Sequence, residues 1–140
     1  MKNTLKFLVL AFLMINMGCK AQMVQTTKDV YLLKTNEHQF INKPLKDLLK
    51  EIKPEIRTGS ANNEEGYQYF SFRFRTMDKW KKNEGAWEDR VSLFIYVKEP
   101  IDWIWEKRPK GNELIWTKED IEKYGNLTVV RIKVINQPKE

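Results

Sequence analysis

The sequence predicts a single α+β domain: an antiparallel sheet of three to five strands, one main helix packed on one face, and a second short helix. Three observations carry this. Leu45, Leu48, Leu49 and Ile52 recur at the i, i+3, i+4, i+7 spacing of one helix face. Phe70, Phe72 and Phe74 alternate with Ser71, Arg73 and Arg75, the period of a half-buried antiparallel strand. The elements run helix, two long strands, a short strand or hairpin, a short helix and a last strand, without the strict alternation of a parallel βαβ fold.

The folded part is expected to begin near Val30, after a polar, unpatterned tether over residues 20–29. Val30-Tyr31-Leu32-Leu33 fits an edge strand or a helical turn, since four residues are too few to tell the periods apart. The main helix is predicted from Asn42 to Lys53, with Asn42 as cap, Pro44 in the first turn and Pro54 as terminator. Lys46, Asp47, Lys50 and Glu51 then face water. Burying the four apolar side chains contributes roughly 1.5 to 3 kcal/mol each, more than helix propensity alone supplies.

Arg57 to Gly66 has loop composition, and Tyr67 to Arg75 is a strand. A second strand runs from Arg90 to Lys98. Val91, Leu93, Ile95 and Val97 lie on one face, with Ser92, Phe94, Tyr96 and Lys98 on the other. So apolar a second face suggests a central strand or an outer aromatic patch. Ile101 to Glu106 and Glu113 to Trp116 are expected to pair as a hairpin across the Arg108–Asn112 turn. Thr117 to Tyr124 is a short helix capped by Thr117, assisted by Asp120, with Trp116 stapled onto Ile121 and Gly125 as its stop. The last strand, Leu127 to Ile135, places Val130, Ile132 and Val134 inward.

Of the 140 residues, 41% are hydrophobic and 31% charged, which argues against disorder and against a disulfide scaffold. At the N-terminus, Lys2 and Lys6 precede the nine-residue apolar run Phe7 to Ile15, the layout of a secretory signal peptide over residues 1–18. The run would span roughly 14 Å as a helix, about half a bilayer's hydrocarbon core. Met17-Gly18-Cys19-Lys20 follows, with a small residue immediately before the chain's single cysteine.

This stretch resembles the processing site of bacterial lipoproteins. Asn16 stands where that family usually has an aliphatic residue, three positions before the cysteine. The resemblance implies lipidation of Cys19, a lipidated tether over 19–29 and a single domain over 30–140. It also implies membrane anchoring in the cell envelope, and Lys20 in place of the inner-membrane aspartate signal points to the outer membrane. The alternative is cleavage after Ala21, which would leave a soluble periplasmic or secreted protein starting at Gln22.

The formal charge of +6 includes Lys2 and Lys6, and without them 23 cationic side chains face 19 anionic ones. That balance, together with export, argues against a nucleic-acid partner. His38 is the only histidine and reads as a solvated loop residue. No Cys-His pair, Gly-x-Ser-x-Gly, phosphate loop or HExxH motif is present, so neither a metal nor a cofactor is expected. Loop carboxylates Glu64, Glu65, Asp78, Glu84, Glu88, Asp89 and Asp102 leave a small hydrolase of envelope polymers as the alternative function. The expected function is a non-catalytic binding module for a protein or an envelope glycan. Its candidate surface comprises Trp80, Trp87, Trp103 and Trp105, whose indoles suit sugar stacking, protein anchoring or a lipid interface.

Overall fold

A computed structural model describes residues 20–136. The expected signal peptide over residues 1–18, the expected lipidation at Cys19 and Pro138 therefore lie outside the described residues. Four strands, β1 (Thr58–Glu64), β2 (Tyr67–Arg73), β3 (Ser92–Val97) and β4 (Val129–Ile135), form one antiparallel sheet in the order β1-β2-β3-β4. Among the described residues four short α-helices accompany it: α1 (Tyr31–Thr35), α2 (Leu45–Leu49), α3 (Met77–Lys81) and α4 (Lys118–Tyr124). This is the α+β architecture that the sequence predicts.

The core lies on one face of the sheet. Phe70 and Phe72 of β2, Leu93 and Ile95 of β3, and Val129 and Ile132 of β4 are fully buried against Leu33, Leu45 and Leu48 from the helices. Trp116 and Tyr124 complete the layer. The Trp116 ring meets Phe72 edge-on at 4.8 Å and Phe70 at 5.7 Å, geometries that aromatic pairs favour.

Several elements differ from expectation. The stretch 57–66, of loop composition, contains β1, which pairs with β2 through seven residues from Thr58↔Arg73 to Glu64↔Tyr67. Glu65 (φ 51°) and Gly66 (φ 83°) form the two-residue turn, with the positive φ values that match the twist of a hairpin. Partner strands, more than propensity, decide an edge strand. At its start, β1 packs under Trp116, and a Cβ on Gly59 would lie 2.8 Å from that indole.

The main helix is shorter than predicted. Asn42 adopts φ 62° and donates its N–H to Val129, so Pro44 holds the cap position instead. At the other end, Val24 donates to the carbonyl of Glu51 and accepts from the N–H of Lys53. Those bonds compete with another helical turn. They also correct the expected start of the fold: Val24 is fully buried, and Met23 donates to the Glu51 carboxylate at 2.8 Å. Packed structure thus reaches back to Met23. The segment 30–33, left open by the sequence, enters α1.

No hairpin joins Ile101–Glu106 to Glu113–Trp116. The first piece ends in a single 3-10 turn at Trp105–Lys107, and Leu114 instead accepts from Gly59 at the β1 edge. In β4, the register shifts between Tyr96↔Arg131 and Val97↔Val129, leaving Val130 as an extra residue. Val129 therefore takes the core position expected of Val130. The open edge of β4 is covered: Glu37 accepts the Ile132 N–H at 2.9 Å, and Lys43 accepts that of Val129. Helix α4 forms as predicted, with the reciprocal Thr117–Asp120 capping box and Gly125 at its end.

Candidate functional site

Three of the four candidate tryptophans are half-buried beneath arginine side chains. Trp80, on α3, lies under the Arg73 guanidinium at 4.3 Å, and Trp87 lies under that of Arg90 at 4.8 Å. Trp103 sits between Arg108, 3.9 Å above its ring, and Tyr124 at 5.9 Å. Each of these three indoles is half-buried. Trp105 differs: it is 50% exposed. Trp116, absent from the candidate set, belongs to the core.

Trp105 borders a cleft of about 420 Å³, the size of a small-ligand pocket. Its apolar lining comprises Trp105, Met77, Leu114 and the exposed Ile115, and its charged lining comprises Arg57, Lys81 and Glu113. Met77 and Lys81 stand one helical turn apart on α3, so both reach the same opening. The opposite rim is set by the Gly111 turn, where Glu113 accepts the Gly111 N–H at 3.0 Å. Arg57 pairs with Glu55 at 3.3 Å at the exposed margin.

That rim is held by Arg108. Its guanidinium donates to the Asp120 carboxylate at 2.7 and 2.9 Å and to the carbonyls of Glu113 and Ile115, which fixes the chain on the cleft side. Burial raises the Asp120 carboxyl, but the Arg108 pair and the Thr117 N–H outweigh it and hold it below its ordinary value.

Five of the seven candidate carboxylates have separate local partners. Glu64 accepts from the Tyr96 hydroxyl, Asp78 pairs with Lys82 at 3.3 Å, and Asp102 with Lys123 at 3.6 Å. Asp89 accepts from Thr27 at 2.8 Å and Glu88 pairs with Lys28 at 3.7 Å. Among the described residues, the carboxyl groups with resolved shifts, Glu37, Glu99 and Asp120, are all lowered. No group of three or more His, Cys, Asp or Glu side chains is placed among them to hold a metal, and no helix there is long and apolar enough to cross a membrane. His38 is exposed.

A second polar feature lies on the sheet face turned from the core. Phe74 and Val91 point inward, so Arg73, Arg75 and Arg90 gather on the other side at one end of β2 and β3. The loop carrying α3 and the Trp87–Arg90 turn folds over them. Arg75 is only 3% exposed and donates to the Ala86 carbonyl, and a Cβ on Gly85 would sit 3.4 Å from its Nε. The Nε atoms of all three arginines are buried without a hydrogen-bond partner. None of the three forms a salt bridge among the described residues. Burial lowers the Arg73 pKa from its ordinary value. Sequence reasoning took Arg73 and Arg75 as plain solvent-facing alternates of the phenylalanines. Their i, i+2 spacing, with Arg90 leading into the neighbouring strand, was the available signal.

No family model, curated protein or solved structure matches the chain at a significant level.

Proposed function

We propose that this chain is a cell-envelope lipoprotein, anchored in the outer membrane through Cys19, whose domain is a non-catalytic binding module for an envelope glycan. The observation that carries the binding reading is the half-exposed Trp105 indole lining the 420 Å³ cleft, which Arg57, Lys81 and Glu113 also line. An indole offers a flat apolar surface to a sugar ring, while charged groups in the same cleft hydrogen-bond its hydroxyls. Five of the seven candidate carboxylates are engaged with separate partners and every resolved carboxyl shift is downward, which supports binding over hydrolysis, where one carboxyl is held protonated beside another. Met17-Gly18-Cys19-Lys20 supports the anchor.

Titration of the purified protein with soluble peptidoglycan fragments, read by indole emission, tests the glycan. Saturable binding that Trp105→Ala weakens about tenfold or more is expected. Saturable binding that Trp105→Ala leaves unchanged, or no binding, overturns the assignment. A protein partner is the second reading, favoured by Ile104 and Ile115, which are exposed as well as Trp105. The anchor is tested separately: intact mass and membrane partitioning should show a lipid increment that Cys19→Ala abolishes.

A further inference from the structure

The lipidation reading leaves very little free chain between membrane and domain. Met23, where packed structure begins, lies four residue steps after Cys19, a reach of at most about 14 Å. Four more lead to Thr27, whose hydroxyl bonds Asp89 next to Arg90. Lys28 and Thr27 line one surface recess together with Trp87 and Arg90. The arginine end of the sheet is therefore the end beside the entering chain.

We infer that this end, comprising Lys28, Arg73, Trp80, Trp87 and Arg90, is the membrane-facing surface of the domain, and that its guanidiniums take the phosphate groups of anionic phospholipids. The inference rests on the proposed anchor at Cys19 for its proximity, and on the arginine cluster for its chemistry. Across residues 73–90, six cationic side chains face four acidic ones, and Asp78 and Glu88 are already paired with lysines. The Arg73 and Arg90 guanidiniums donate to no acceptor among the described residues, so the charge available there is positive. A planar guanidinium donates two parallel hydrogen bonds to phosphate, which supplies the missing counter-charge. Arg75, beneath them and held by Ala86, adds to the positive potential without needing to touch the ligand. Trp80 and Trp87 have the amphipathic indole suited to headgroup depth. Juxtamembrane cations of this kind are drawn to an anionic leaflet.

The test uses protein made in a lipoprotein-processing host and weighed intact. It is combined with vesicles of brominated phosphatidylcholine or of brominated phosphatidylglycerol, and bromine quenching of indole emission is measured. Stronger quenching by the phosphatidylglycerol vesicles is expected, with the excess lost in Arg73→Gln/Arg90→Gln. Lys98→Gln, one charge removed at the other end of β3, should retain it. Thermal melts show that each variant is folded. Equal quenching by the two lipids in the wild type overturns the inference without needing any variant, as does an excess that survives in the folded double variant. Inorganic phosphate that raises Tm through Arg73 and Arg90 while the two lipids quench equally assigns the cluster to a soluble anion and overturns the membrane assignment. The mass measurement keeps the two readings apart. Lipidated protein with equal quenching keeps the anchor and rejects this surface, whereas unlipidated protein with the phosphatidylglycerol excess rejects the anchor and keeps the surface.

Discussion

Arg108 and Asp120 form a two-pronged ion pair at 2.7 and 2.9 Å, between the loop that rims the cleft and the first turn of α4. The same carboxylate accepts the Thr117 N–H at 2.9 Å, so one acidic side chain both caps a helix and holds the guanidinium that fixes the loop. Both partners are largely buried, and each would be costly to leave alone.

Asp120→Ala is therefore expected to lose about 3 to 5 kcal/mol in urea denaturation, because it strands a buried guanidinium and removes the cap. Arg108→Lys should also destabilise, since an ammonium cannot reproduce the planar fork to Asp120 and two carbonyls. A loss under about 1 kcal/mol for Asp120→Ala would show that the pair is dispensable.

The sign of the Asp120 shift sets an acid dependence. Its folded-state pKa is below the unfolded one, so its contribution is fully present above the unfolded value near pH 4 and is lost as pH falls through the lower folded value. Wild type should lose stability over that window, and Asp120→Asn should flatten this part of the curve. Parallel wild-type and variant curves below about pH 4 would contradict the assignment.

Tyr96 governs the alkaline limb. Burial, followed by the hydrogen bond to Glu64, pushes its hydroxyl up to about 12 from the model-compound value of 10.0. Its contribution is present below about pH 10 and lost as pH rises toward 12. Ultraviolet titration should find one phenol ionising late, absent in Tyr96→Phe, whose stability should fall less over the same range.

Gly59→Ala tests the missed strand. The new methyl would meet Trp116 Cε3 at 2.8 Å in a packed layer, so a loss of about 1 to 3 kcal/mol is expected. An unchanged urea midpoint would mean that the indole can withdraw from β1.

Trp105→Ala should separate binding from folding. Half of this side chain is in water, so stability should change by no more than about 0.5 kcal/mol while glycan affinity falls. A large loss of stability would instead make Trp105 a structural residue.

The amino-acid sequence by itself determined the elements whose pattern repeats over enough residues to be read locally. The Phe70-Phe72-Phe74 alternation specifies β2, and the two-faced pattern of Arg90 to Lys98 specifies a strand, central or with an outer aromatic patch, of which β3 takes a central place in the sheet. The Thr117–Asp120 box specifies the start of α4, because cap and acceptor lie three residues apart. Tertiary structure decided what depends on residues distant in the chain. Seven cross-strand pairs to β2 turn the loop-like 58–64 into β1, and backbone bonds from Val24 and to Val129 shorten the helix at both ends. Placement of the tryptophans was likewise illegible, because an indole among polar neighbours settles where an arginine from another element covers it: Arg73 over Trp80, and Arg108 over Trp103. Trp105 alone of the four stays half in water at the cleft. Local pattern reports the period of burial, whereas partner, register and exposure follow from contacts that form only when the whole chain packs.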